Sequence, residues 1–312
     1  MSTHDGQLLV FWGSCTLDTI ARVSSFPEPD SRTVAYELIT AGGGPAATAA
    51  VAAARAGART AFLGTVGADD EGDRILAGLE AEDIDTSAVR RDPSQPSGAS
   101  VVVVGPGATR AIVTRPVPRV VVHLSAAARL LEEAAWVHVD HLGWPALRTL
   151  RLPKRTFRVS VDAGNPLPAF SLTGVDLYGP TLARLAGALQ PTDPAEIEAL
   201  LRTSHEAGAG MIVATDGERG SWVLDEAGRF VHVPAAKCDA YSTLGAGDVF
   251  HGALLAAMAA GLELADAAGF ASKSAASSCE GLDGRSRIPY ARPRPPAATE
   301  NHPSRGISGH DH

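Results

Sequence analysis

Thr243-Leu244-Gly245-Ala246-Gly247-Asp248-Val249-Phe250-His251-Gly252 leads into an apolar run that ends at Leu262, before Glu263. Small residues ahead of a helix let backbone N–H groups approach an anion, and the helix dipole adds favourable charge at the same end. An Asp there repels a phosphate. Asp248 therefore reads either as a helix N-cap or as a general base that takes the proton of a hydroxyl attacking a phosphoryl group. Two other phosphate loops are excluded. Phe250 stands where a dinucleotide fingerprint needs its third Gly, and no Gly-Lys-Ser/Thr follows as a Walker A loop requires.

Outward from this segment, Gly42-Gly43-Gly44-Pro45-Ala46-Ala47-Thr48 opens an Ala-rich helix over 46–56 that Gly57 stops. Ala favours helix and Gly ends it. The glycines fit either close approach of a ligand or a tight turn with Pro45 at the first helical position. Apolar or β-branched runs at 7–12, 60–64, 136–139, 158–161 and 211–214 read as strands, with a helix over 72–82. Strands alternating with helices predict an α/β fold with a mostly parallel central sheet and helices on both faces. Two stretches break that rhythm, 31–40 and 97–114, the second a hairpin around Gly105-Pro106-Gly107. They predict a small β lid beside the sheet, with segments near 19–40 and 97–115. Residues 1–290 then form one domain, and 291–312, which lack periodicity, a disordered tail. The tail's His302, His310 and His312 read as solvated rather than metal-binding.

Composition bounds the function. A chain of 312 residues, 45% apolar and 20% charged, can bury a core and is not dominated by disorder. Three cysteines, Cys15, Cys238 and Cys279, are too few for a disulfide scaffold. The net charge of −8 argues against a nucleic-acid groove. No apolar run approaches the ~20 residues of a membrane span, and the N-terminus does not read as a signal peptide. The expectation is a cytoplasmic protein with a small-molecule substrate and neither nucleic-acid nor membrane partners.

Together the two Gly-rich segments resemble the ribokinase-like, or PfkB, carbohydrate kinases over most of residues 7–290. Gly64-Thr65-Val66-Gly67-Ala68-Asp69-Asp70-Glu71-Gly72 resembles a further family stretch, and Thr215-Asp216-Gly217-Glu218-Arg219-Gly220 resembles the loop that meets ATP. The resemblance implies ATP-dependent phosphoryl transfer to a hydroxyl of a sugar or sugar derivative, with Mg²⁺ accompanying ATP. Asp248 would be the base and the N–H groups of Gly245, Ala246 and Gly247 the anion hole. Asp18, Gly42, Gly43 and Gly44 would hold the sugar; Thr215, Gly217 and Gly220 would approach ATP. The lid would cover the sugar and make a homodimer contact. Segments 42–56, 245–254 and 284–289 look most like sulfofructose kinases. A nucleoside kinase on the same fold, or a sugar-binding regulator of weak activity, would share much of this pattern.

Four departures stand against it. Ser242 replaces the family's first Asp of Asp-Thr-x-Gly-Ala-Gly-Asp, so little activation by potassium is expected. Ala47 replaces an Asn after the glycines, and Tyr178-Gly179-Pro180-Thr181 replaces an Asn-x-x-Glu linked to magnesium; which residues bind the metal stays open. Gly143, before Trp144, stands where sulfofructose kinases carry Arg, which favours a neutral sugar. Any of Arg32, Arg110 and Arg115 could pair with an anionic group. Cys15 reads as a buried structural thiol, His138 and His141 as one core and one pocket histidine, and Asp162 as a strand end facing the cleft or a turn.

Overall fold

The computed structural model describes residues 6–121, 123–150 and 155–294. Eight strands form the central sheet in the order β14 (Phe230–Val233), β13 (Ser221–Leu224), β12 (Ala209–Thr215), β11 (Val175–Pro180), β10 (Arg158–Ala163), β9 (Ala134–Val139), β1 (Leu8–Trp12) and β4 (Arg59–Leu63). From β12 to β4 all pairs are parallel; β13 and β14 are antiparallel. Side chains alternate along a strand, and here both faces are apolar, as a doubly covered sheet requires. Leu9 and Phe11 of β1 pack among α1 (Pro45–Arg55), α7 (Ala246–Ala259) and α8 (Leu264–Ser278). Leu8, Val10 and Trp12 face the other way, toward α3 (Leu124–Glu133) and α4 (Gly143–Thr149). Ile197 and Leu201 of α6 (Pro194–Glu206), with Leu182 of α5 (Leu182–Ala186), cover the β12–β13 end. A short parallel pair, β5 (Thr65–Gly67) with β6 (Arg90–Asp92), flanks α2 (Asp70–Glu80).

The lid is a four-stranded sheet, β3 (Ala35–Gly43), β2 (Thr16–Val23), β7 (Ala99–Val104) and β8 (Arg110–Arg115). It begins earlier than the sequence suggested, so Asp18 lies within β2 and Gly42–Gly43 close β3. The alternation of its strands separates two jobs. Asp18, Ile20, Ser100, Val102, Ile112 and Thr114 face the cleft, while Tyr36, Leu38, Val101 and Val113 stand exposed on the outer face.

What aims the site is the packing of α1 against α7. Ala46, Ala47, Ala49, Ala50, Ala52 and Ala53 are all buried. A Cβ on Gly252 would collide with the Ala49 carbonyl. The two helices therefore meet backbone to backbone, and both N-termini open on the same cleft. Of the expected tail, 291–294 follow without regular structure; 295–312, with its three histidines, lies outside the described residues. Among the described residues no helix is long and apolar enough to cross a membrane.

Candidate functional site

A cleft of about 720 Å³ lies between the lid and the C-terminal ends of the parallel strands, where ligands of open α/β sheets bind. Its walls bring together Asp18, Gly42, Gly43, Gly44, Thr215, Gly245, Ala246, Gly247 and Asp248. Gly217 and Gly220 do not line it. They shape the β12–β13 turn with φ of 56° and 97°, and a Cβ on Gly220 would collide with the Val233 carbonyl.

Each glycine of the 42–44 loop answers to a different neighbour. A side chain at Gly42 would strike the Arg285 guanidinium, and one at Gly43 the Asp18 carboxylate and, at 2.6 Å, Thr16 Oγ1. Gly44 has φ 89°, a conformation that L side chains rarely adopt, and sits against the Ser14 and Cys15 backbone. The loop is anchored by the buried Asp140. Its Oδ2 accepts from Ser14 N–H at 2.8 Å, Ser14 Oγ–H at 2.5 Å and Ala46 N–H at 3.4 Å. Its Oδ1 accepts from the Leu142 and Gly143 N–H groups, both at 2.9 Å. No side chain fits at Gly143, because a Cβ would overlap the Trp12 carbonyl.

Asp18 is buried, and its Oδ1 has no hydrogen-bond partner. Burial raises its pKa, against the pull of Thr16, Ser100 and Arg285. A buried acceptor left open toward a cleft suits a ligand hydroxyl.

Asp248 is the third residue of α7, and the N-cap is Gly245, in the left-handed region at φ 73°. The N-cap reading of Asp248 is thus replaced by a carboxyl standing in the cleft. Burial first, then the Asp162 charge, pushes it up to about 8; Asp140 adds to the rise, and His251 and Arg285 oppose it. Ala246 N–H makes only a long 3.4 Å bond to Thr243 O, so the first turn of α7 keeps its N–H groups for a ligand.

His251, one turn along α7, faces Asp162 with Nδ1 3.6 Å from Oδ2. Burial disfavours its charge, but Asp162 outweighs this and raises its pKa. Burial likewise works to raise Asp162, and His251 with the Gly164 N–H overcomes it and holds the carboxyl below the usual range. His138 is the core histidine, its Nδ1 3.0 Å from Ser160 Oγ and its pKa pushed down to about 3 by burial and by His251. His141 lines the cleft. Asp162 fulfils both readings, lining the cleft and closing the turn through the Gly164 N–H, which its Oδ1 accepts at 2.7 Å. The strand-end rule pointed to it, whereas His251 was visible in the motif but had no spacing signal to give it a role.

Of the three candidate arginines, only Arg110 lines the cleft, bridging lid and α7 loop through Nη1 to Thr243 Oγ1 at 2.8 Å. Arg115 is held by Ser97 O and Glu71, and Arg32 is exposed on the loop between β2 and β3. Cys15 is buried, its thiol pushed up to about 12 by desolvation. Arg285, which sequence reasoning missed as a site residue, donates from Nη2 to Gly43 O at 2.7 Å and from Nε to Thr48 Oγ1 at 3.1 Å.

The model of the pfkB family of carbohydrate kinases matches residues 7–154 and 174–289. The ribokinase of Haemophilus influenzae is 25% identical over 293 residues, 90% of this chain and 95% of that protein. The nucleoside kinase of Methanothermobacter thermautotrophicus is 25% identical over 302 residues, 92% and 94% of the two chains. The structure of Arabidopsis thaliana ribokinase complexed with ribose and ATP superposes with a TM-score of 0.76 at 21% identity. It covers 91% of this chain and 96% of that one.

Proposed function

The chain belongs to the pfkB family of carbohydrate kinases, and from that premise we propose that it transfers the terminal phosphoryl group of ATP to a hydroxyl of a neutral sugar or polyol. The observation that carries the reading is one cleft holding an acid, Asp248, behind the free first turn of α7 and a second acid, Asp18, with an open acceptor oxygen. Asp18 and the 42–44 loop would grip acceptor hydroxyls. Asp248 would take the proton of the attacking hydroxyl, and the N–H groups of Gly245, Ala246 and Gly247 would stabilise charge on the transferring group. Thr215 would meet the polyphosphate at the strand end, with the turn shaped by Gly217 and Gly220 beyond it. The lid would exclude water, which otherwise competes as acceptor.

Among the described residues no three His, Cys, Asp or Glu side chains form a metal cage. The donors along the cleft wall are oxygens, from Asp162, Asn165, Thr181 and Thr215, which fits Mg²⁺ arriving on a polyphosphate rather than residing in the protein. When bound it would neutralise polyphosphate charge, met by oxygens of this wall.

A nucleoside acceptor draws support from the apolar lid face of Ile20, Val102 and Ile112, although no Phe, Tyr or Trp lines the cleft among the described residues. The polar surround of Asp18, Ser14 and Thr16 favours the sugar. The apolar outer face of the lid supports a homodimer through that sheet, since Tyr36 is 71% and Val113 74% exposed. The test is ATP consumption over D-ribose, 2-deoxy-D-ribose, D-fructose, sulfofructose and adenosine. Turnover of a neutral sugar sustains the proposal. Preference for adenosine selects the nucleoside reading, and sugar binding without turnover selects a regulator.

A further inference from the structure

The loop from Asp283 to Ser286 lies behind the cleft wall, and its backbone is fixed without help from the Arg285 side chain. Asp283 Oδ1 accepts from the Arg285 and Ser286 N–H groups at 3.1 and 2.6 Å. Arg55 Nη1 donates to the Arg285 and Ile288 carbonyls at 2.6 and 3.0 Å, while Glu82 holds Arg55 from the other side. The guanidinium is therefore free to serve another element. It reaches into the turn between β3 and α1, bonding Gly43 O and Thr48 Oγ1 and standing where a Cβ on Gly42 would have to go. Thr48 in turn packs its methyl group near Gly245, whose Cα also abuts Gly284. One side chain thus touches the acceptor loop directly and, through Thr48, the start of the anion-hole loop.

Charge follows the same geometry. Gly43, whose carbonyl holds the guanidinium, has the Asp18 carboxylate on its other side. Arg285 is the cation that acts on both Asp18 and Asp248, whereas His251, which also acts on Asp248, is paired with Asp162. Desolvation lowers its pKa to about 10, which leaves it charged at neutral pH. The groups facing Asp248 are Asp162, His251, Asp140 and Arg285; those facing Asp18 are Thr16, Ser100 and Arg285. Cys15 and Asp283 also face the guanidinium. With Ala47 offering no polar side-chain atom, the side chains that hold this turn are Asp140, at the Ala46 N–H, and Arg285, at Gly43 O and Thr48 Oγ1.

We propose that Arg285 is a positioning residue for the phosphoryl-transfer site: its fork fixes the Gly43 carbonyl and the Thr48 hydroxyl, and its charge is set against Asp18 and Asp248. This rests on the kinase reading. Two variants separate fork from charge. Arg285→Met removes both, so the acid limb of kcat/KM, which reports the free enzyme's base, should move to higher pH by a unit or so, on the order expected for a lost neighbouring charge. The acceptor KM should rise roughly tenfold, on the order of one charge-assisted hydrogen bond. Arg285→Lys keeps the charge and loses the fork, so KM should rise while the limb stays where it is in the wild type. A limb unmoved in Arg285→Met, with only the melting temperature lowered, would overturn the proposal in favour of a structural role. Should Arg285→Met not fold, a limb that moves in Arg285→Lys, or an acceptor KM unchanged there, overturns it instead. Carboxyl ¹³C titration of the ligand-free protein makes the test independent of substrate. Asp18 and Asp248 resonances titrating higher without Arg285 support the charge assignment even if no acceptor in the panel turns over, an outcome that would refute only the kinase reading.

Discussion

Asp248→Asn replaces one carboxylate oxygen with an amide nitrogen, and the structure gives it three separate signatures. Burial and Asp162 push the carboxyl up to about 8. A group with that pKa is ionised in about one molecule in ten at pH 7. The wild-type kcat/KM should therefore climb nearly tenfold from about pH 6 to about pH 7 and level off above about pH 8. The amide cannot accept the proton, so turnover should fall ~10²–10⁴-fold on the plateau above about pH 8, and the gap should narrow at lower pH, where the wild-type base is itself protonated. ATP affinity should hold or tighten, since a negative charge has left the phosphate site. Stability moves in the opposite direction. Between the unfolded value of 3.8 and the folded value of about 8, the native state keeps a proton that the unfolded chain has released. Rising pH then favours unfolding across that window and adds nothing above it. Asn lacks this penalty, so the variant's melting temperature should gain on the wild type from about pH 4 to about pH 8 and run parallel beyond. Steady-state turnover, nucleotide affinity and melting curves in one buffer series measure all three. Near-normal turnover of the variant at saturating substrate would refute the base assignment. A melting difference that ignores pH would refute the burial argument.

Ser242 spends its hydroxyl accepting from Leu244 N–H at 3.2 Å and brings no charge, so replacing sodium with potassium should change turnover less than about twofold, the scale expected without an anionic cation ligand; a large saturable potassium effect would refute this. Gly252→Ala forces a methyl into the Ala49 carbonyl and should cost about 1–3 kcal/mol, as overpacking does, measured by urea denaturation. Tyr36→Asp on the outer lid face should convert a dimer to monomer in light scattering while leaving the cleft residues in place. Arg110→Met should leave the KM of a neutral sugar nearly unchanged; a loss confined to sulfofructose would show that this guanidinium reads an anionic group.

How much of this was legible in the chain depended on whether a signal was local. The Ala-rich α1 and the Gly-Ala-Gly-Asp start of α7 announce themselves through propensity and small residues, and both stand within a residue or two of where the sequence put them. The parallel sheet follows from strand and helix alternation. Strand β11 escaped because Val175–Pro180 holds Tyr, Gly and Pro and lacks a β-branched run, its place being set by pairing with β10 and β12. Asp18 was assigned to the segment after β1, because the onset of β2 at Thr16 is fixed by its ladder with Gly43, which lies far along the chain.

The same distinction explains why the three glycines were ambiguous in sequence and are not in the fold. A run of Gly permits a ligand, a turn or a neighbouring side chain equally well. Only the tertiary arrangement shows that Gly42 yields to Arg285 and Gly43 to Asp18, with Gly44 left to turn the backbone. The loop is accordingly shaped by two opposite charges brought from distant parts of the chain. Its glycines are the consequence of fitting a guanidinium and a carboxylate on either side of one strand end. Substituting Gly42 should therefore disturb the arginine before it touches any ligand, and substituting Gly43 should disturb the acid. The two residues are adjacent in sequence, yet their variants should differ in phenotype.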